Sequence, residues 1–414
     1  MTYVLLLIPF VATVFAFIVY QRNNRHKYGA VSLMITLYLF SYLCAVLLEV
    51  IGFDRRAYEL SVSSMIYLSA ATVFTLYAFF NYRDRRGLVI YNVDNTTKSI
   101  VDGVLALCNI GSIMFFLPFA VDALTGDINT NRIDLETTTS GLLEAGLVNT
   151  FFSAIAASFG VSLVLGFANI ANLAGRSRRS YYMGWVLILS SLCYVVYILA
   201  WVGRDGFVYW IMLFVFVYYV FKPALAEREK SRIRKAGFVL FVLLLPSFVI
   251  ISIARFSERD LSVLVWLIVY AGEQVNNFND YFLVYSDDFS QHGLATFRLV
   301  NRFIGADSFD NQKWFDYYLS KQVMPWKFST FIGSFLKDMG PFTTGLLLGI
   351  FFIFVRLVKI SERSSVSTVI LFVILAQVPL FGLFYFRQAD SNAAILLSLL
   401  IAAALRVRLV RNRR

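Results

Sequence analysis

Long apolar runs recur along this chain with little between them, and that pattern limits what it can fold into. Eleven such runs read as spans, near residues 2–20, 29–51, 60–80, 100–122, 147–174, 181–201, 205–222, 236–254, 341–358, 366–386 and 391–407. A helix needs about 20 apolar residues to cross the hydrocarbon core. The expected fold class is therefore an all-α polytopic membrane protein with about eleven transmembrane helices. Composition agrees: 59% of residues are hydrophobic and only 15% charged, against roughly 25% charged in soluble domains.

Orientation follows from the loops. Those at 21–28, 81–99, 175–180, 222–235 and 356–363, with the tail 406–414, hold 24 of the 37 Lys and Arg residues. By the positive-inside rule this set is cytoplasmic, which puts the N-terminus outside and the basic C-terminus inside. Acidic residues Asp122, Asp127, Asp134, Glu136 and Glu144 gather at the start of and within an outer loop at 123–146. The net charge of +11 is spread over span ends rather than along a groove, so nucleic acid is not an expected partner.

Three regions follow: helices one to eight over 1–254, a large outer loop over 255–340, and three helices with the basic tail over 341–414. The outer loop is the longest non-membrane segment and carries eight Lys/Arg against ten Asp/Glu. Within it, 261–272 is apolar but too short to cross, so a re-entrant or interface-lying helix is expected there. From Glu273 onwards the loop turns polar, acidic and aromatic.

Several chemistries are excluded by what is missing. No His/Cys/carboxylate spacing suggests a metal, and no glycine-rich phosphate loop is present. No cofactor is expected. Cys44, Cys108 and Cys193 all lie in apolar runs, which leaves no loop disulfide. Thr2–Tyr20 has a full span's length without a basic leader or small-residue cleavage site, so a retained first span is expected. His292, in Gln291-His292-Gly293, reads as turn decoration.

The candidates for function are polar groups at the outer membrane boundary. Arg204 lies in a near-loopless Gly203-Arg204-Asp205-Gly206 corner, Arg255 and Arg259 follow a span, and Arg387 occupies a second tight corner. Interfacial snorkelling accounts for single arginines at span ends. Several on the side that disfavours them call for an anionic ligand, since guanidinium groups clamp phosphate or diphosphate with paired donors. Glu273, Asn276, Asn277, Asp280 and Tyr281 supply carboxylates, amides and an aromatic face suited to sugar hydroxyls and rings. The same composition also fits a solvated loop.

The Gly203-Arg204-Asp205-Gly206 corner resembles the Ser/Gly-Arg-x-Gly corner of bacterial O-antigen polymerases and ligases. The segment Trp326–Gly340, with Thr330 followed by Asp338-Met339-Gly340 and then Gly345 and Gly349, resembles the polymerases' return to the membrane. Arg255 matches the position of a second family arginine, and the two outer loops match the family layout. An odd number of spans departs from the commoner pattern, and the ligases' outer-loop histidine has no counterpart.

The resemblance implies an oligosaccharide repeat-unit polymerase of the bacterial inner membrane. It would be a metal-independent glycosyltransferase making O-antigen, capsule or exopolysaccharide from undecaprenyl-diphosphate-linked oligosaccharide, which serves as both donor and acceptor. Membrane lipid and a chain-length regulator protein are the further expected partners. Arg204, Arg255, Arg259 and Arg387 would hold the diphosphate. Glu273, Asp280 and Asp205 are the candidate bases, with Asp205 alternatively pairing with Arg204. Asn276, Asn277, Tyr281 and Thr330 would contact the sugars, and Asp338 reads as a structural helix-end residue. Rival readings are an O-antigen ligase and a transporter of lipid-linked oligosaccharide. Transporters tend to carry charge or broken helices at mid-membrane, and these spans read as clean of charge there.

Overall fold

The structure is a computed structural model and describes residues 2–25, 27–53, 56–82, 89–92, 94–125, 146–171, 178–256, 262–305, 311–325, 327–361, 363–386 and 392–407. These residues form an all-α polytopic membrane fold. In chain order the helices are α1 (Thr2–Asn23), α2 (Ala30–Val50), α3 (Val62–Ala78), α4 (Asn95–Thr125), α5 (Leu147–Ala157), α6 (Phe159–Ala171), α7 (Arg178–Ser190) and α8 (Cys193–Ala200). They continue as α9 (Asp205–Phe221), α10 (Glu227–Phe256), α11 (Val263–Val284), α12 (Arg298–Phe303), α13 (Asn311–Ser320), α14 (Thr330–Leu357), α15 (Val366–Phe381) and α16 (Asn392–Ala404).

Among the described residues, eight helical segments are long and apolar enough to cross a membrane, α7 and α8 together making one. The pair α5 and α6, bent by 45° at their junction, makes a ninth where it counts as one span. The last two apolar runs form the shorter helices α15 and α16. Each apolar run read as a span contains helix among the described residues, and eight or nine segments reach crossing length rather than eleven.

One boundary differs from the sequence expectation in a way that matters. The apolar run 261–272 does not end as a separate short helix. From Val263 it continues without a break to Val284, so the polar residues after Gly272 are helical. A second boundary is sharper than expected: α14 is broken at Gly340, whose φ of 78° and ψ of 171° are non-helical. Pro341 follows and opens the apolar portion to Leu357, since proline is tolerated at the first position of a helix.

Contacts divide the chain into two compact units. One comprises Met1–Asp84, Leu264–Lys359 and Leu375–Asn392. Here α11 meets α2 backbone to backbone: a Cβ on Gly272 would lie 2.5 Å from the Ala45 nitrogen. Helices α3 and α14 are joined by Tyr67 Oη donating to the Pro341 carbonyl at 2.6 Å and by stacked Phe74 and Phe352.

The other unit comprises Arg85–Val263, Ile360–Ile374 and Ala393–Arg414. Its helices α6 and α7 cross at paired glycines. A Cβ on Gly166 would sit 2.9 Å from the Gly184 carbonyl, and one on Gly184 2.8 Å from the Gly166 carbonyl. Small residues let helices in lipid approach closely and gain dispersion contacts. Trp210 Nε1 on α9 donates to Ser191 Oγ at 2.9 Å, between α7 and α8. The short strands β1 (Val89–Tyr91) and β2 (Arg363–Ser365) pair in parallel.

Candidate functional site

In the unit containing α9 and α10, the Gly-Arg-Asp-Gly corner is a tight reversal between α8 and α9. Val202 takes a left-handed φ of 56°, and the Gly203 amide donates back to the Ile198 carbonyl at 2.9 Å. The corner folds directly onto Ile198: a Cβ on Gly203 or on Gly206 would approach that side chain to 2.6 Å. The two glycines are therefore needed for packing, and between them the chain holds Arg204 immediately ahead of α9.

Arg204 is only 8% exposed. Its Nη1 donates to Ser252 Oγ at 2.9 Å, and the guanidinium lies 6.0 Å from the Phe248 ring centre. Both partners are on α10, and Ser252 is held by its own bond to the Phe248 carbonyl at 2.7 Å. Arg255 lies three residues beyond Ser252 on the same helix, the spacing that puts two positions on one face. Asp205 opens α9, where a carboxylate complements the positive helix end. A guanidinium and a helix N-terminus thus sit together, both favouring an anion. The Arg255 side chain, Arg259 and Arg387 lie outside the described residues.

The other unit holds the polar half of α11, which is buried. Gln274, Asn276, Asn277, Asn279, Asp280 and Tyr281 all lie in the interior, and Glu273 is half-buried. Polar side chains survive burial only with partners, and most of the partners here are backbone groups of irregular segments. The Ala57 amide donates to Asp280 Oδ2 at 2.9 Å and the Tyr58 amide to Oδ1 at 3.2 Å. Asn279 Oδ1 accepts from the Ser61 amide at 2.9 Å and from Ser64 Oγ at 2.6 Å, while its Nδ2 donates to the Glu59 carbonyl at 3.1 Å. Asn277 Nδ2 donates to the Phe328 carbonyl at 2.8 Å, and Tyr281 Oη to the Met324 carbonyl. Burial raises the Asp280 pKa above the ordinary carboxylate value, and the Ala57 and Tyr58 amides act against that rise.

Two buried acceptors on this helix, Gln274 Oε1 and Asn276 Oδ1, have no hydrogen-bond partner among the described residues. Thr330 starts α14 with a left-handed φ of 64°; its amide donates to the Phe384 carbonyl at 2.8 Å and its Oγ1 accepts from Gly333. Asp338 is buried and accepts from the amides of Gly293, Ala295 and Thr296 at 3.1, 3.4 and 2.8 Å. That is the structural role read from its position. His292 is exposed in a turn with φ of 48°.

The sequence reading missed a buried charged cluster in the α4 unit. Lys98 Nζ donates to Asp102 Oδ2 at 2.6 Å and to Asn169 Oδ1 at 2.5 Å, and Asn169 Nδ2 donates to Asp102 Oδ2 at 2.8 Å. The helix starts at Asn95, ahead of the expected span start at 100, and so takes Lys98 into the packed interior. Asn109, two turns beyond Asp102, donates to Ser162 and Ser190 at 2.8 and 3.1 Å. The signal was legible as Lys, Asp and Asn at 98, 102 and 109, one helical face leading into an apolar run. Among the described residues no group of His, Cys, Asp or Glu is arranged to hold a metal ion.

No protein-family model, curated protein or solved structure matches this chain.

Proposed function

We propose that this chain is a glycosyltransferase of the bacterial inner membrane that polymerises polyprenyl-diphosphate-linked oligosaccharide repeat units at the periplasmic face. In this reading the N-terminus is periplasmic and the basic C-terminus cytoplasmic. An acceptor hydroxyl attacks the anomeric carbon of the donor sugar, the bond from that carbon to the diphosphate oxygen breaks, and the hydroxyl proton passes to a carboxylate. The polyprenyl diphosphate leaves with added negative charge.

The observation that supports this best is the setting of Arg204. Its guanidinium is largely covered, stands at a helix N-terminus, and donates to a neutral hydroxyl on the helix that carries Arg255 one turn on. A donor fixed before the reaction stabilises charge that grows in the transition state without reorganisation. The base in this reading is one of the carboxylates singled out from the sequence, Glu273, Asp280 or Asp205, and Asp280 has both oxygens engaged by backbone amides.

The test is the glycan made by a deletion strain. The polymerase reading expects single repeat units still attached to the outer-membrane lipid and no long chains. Complete loss of attached glycan overturns it in favour of a ligase or transporter. The transporter reading draws on two observations: the buried Lys98–Asp102–Asn169 cluster and the bent pair α5–α6.

A further inference from the structure

The first turns of α7 and α10 present a basic surface whose geometry is more specific than a scatter of positive charge. Glu229, buried on α10, organises it. Its Oε2 accepts from Tyr181 Oη at 3.1 Å, its Oε1 from Arg232 Nη1 at 3.1 Å, and the same Nη1 donates to Tyr181 Oη at 3.1 Å. This triad brings the start of α7, with exposed Arg178 and Arg179, beside the start of α10. Arg228, Arg234 and Lys235 are exposed on α10. The Arg234 Nε donates to the Lys230 carbonyl at 3.3 Å.

Directly beyond these cations the same faces of α10 become apolar and stay exposed. Arg228, Arg232 and Lys235 continue at helical spacing into Val239 and Val242, and Arg234 continues into Phe238 and Phe241. Phe238 is 68% exposed and Leu243 also 68%. At a rise of about 1.5 Å per residue, ten residues from Arg232 to Val242 cover roughly 15 Å, the depth of one leaflet's hydrocarbon. Tyrosines mark the level of the change: Tyr181 and Tyr182 open α7, and Tyr218 and Tyr219 close α9, with Lys222 Nζ 5.2 Å from the Tyr219 ring centre. Such residues collect where headgroups meet acyl chains.

We propose that this surface is a binding site for an anionic phospholipid. The phosphate and any second headgroup charge lie among Arg228, Arg232, Arg234 and Lys235, and the acyl chains run along Phe238, Val239 and Val242. An acidic soluble partner satisfies the cations but leaves the contiguous apolar stripe unmatched. A neutral lipid does the reverse. The Tyr181–Glu229–Arg232 triad fixes one guanidinium before the ligand arrives, which limits the side-chain entropy lost on binding. The inference needs only that α10 crosses a membrane and does not rest on the proposed glycosyl transfer.

The experiment uses the full-length protein in detergent, with native mass spectrometry after addition of phosphatidylglycerol, cardiolipin or phosphatidylcholine. Anionic lipids are expected to be retained and phosphatidylcholine to be lost. R228Q/R234Q/K235Q is expected to weaken anionic-lipid retention about a hundredfold, since each surface cation contributes roughly a factor of five. R228K/R234K keeps the charge and is expected to keep most of the binding, which separates lost charge from lost fold. A control, K359Q/R406Q, is expected to bind as the wild type does. Equal retention of phosphatidylcholine, full anionic-lipid binding by the triple variant, or an equal loss in the control overturns the proposal. So does displacement of the lipid by soluble polyglutamate at equal charge concentration.

Discussion

Arg204 Nη1 reaches Ser252 Oγ at 2.9 Å, a hydrogen bond that ties the corner ahead of α9 to the far end of α10. The acceptor is itself fixed, because Ser252 Oγ donates to the Phe248 carbonyl. Ser252→Ala removes a partner from a covered guanidinium, which costs about 1–3 kcal/mol. The expected outcome is a lower melting temperature in detergent and shorter glycan ladders, with insertion unchanged. A wild-type melting temperature means that another group or water replaces the hydroxyl.

Asp280 serves as an anchor with two distinct acceptors, one for each backbone amide. Asp280→Asn offers one oxygen and one NH2 to two N–H donors, so one amide is left facing a donor. A loss of about 1–3 kcal/mol is expected, read as a shift in thermal unfolding. The sign of the pH effect follows from the raised folded-state pKa. Asp280's contribution is most favourable below the ordinary carboxylate value near about 4. It diminishes as pH rises through the raised value, because the unfolded carboxyl ionises first. The stability difference between wild type and Asp280→Asn should therefore narrow as pH rises through that window, and a difference independent of pH contradicts the assignment.

Glycines along α14 are not equivalent. Gly340 combines a φ of 78° with a Cβ position that overlaps the Tyr285 ring, while a Cβ on Gly345 or Gly349 meets nothing within 4 Å. Gly340→Ala is expected to destabilise by about 1–3 kcal/mol from backbone strain, with the ring overlap adding to it. Gly345→Ala and Gly349→Ala are expected to leave thermal stability within error or raise it slightly. Equal effects at the three sites contradict the break at Gly340.

The Lys98–Asp102 pair gives a double-mutant cycle. Removing one partner leaves a buried charge uncompensated, at about 3–5 kcal/mol. Lys98→Met and Asp102→Leu are each expected to lower the melting temperature strongly, and the double variant to recover much of the loss. Additive losses contradict the coupling.

The sequence made the membrane architecture legible because a span is a local property: apolar length alone predicts it. The eleven runs map onto helices in order. Residues 261–284 were harder, since Leu261–Gly272 and Glu273–Val284 differ sharply in polarity and read as two segments. Val263–Val284 form one helix because the polar half is met by backbone groups of Ala57–Ser61 and Met324–Phe328, partners more than 40 residues away in sequence. In composition a buried polar helix matched by distant amides looks the same as a solvated loop. Lys98 was misplaced for a similar reason. Its charge argued for a loop, whereas Asp102 and Asn169 receive it inside the packing. The corner at Arg204 was legible as a near-loopless turn between two spans, and the structure adds the reason for its glycines, the Ile198 side chain.

Glycan chain length in cells expressing Arg204→Ala or Arg255→Ala, in a strain deleted for the native chain, tests the central claim most directly. Membrane levels of each variant are measured alongside. The account predicts that both variants insert at normal levels, that long chains disappear, and that single repeat units remain. Arg204→Lys is expected to restore little, because an ammonium cannot reproduce the paired donors of a guanidinium. Wild-type ladders from either variant contradict the assignment of that arginine to the diphosphate, and wild-type ladders from both contradict the account.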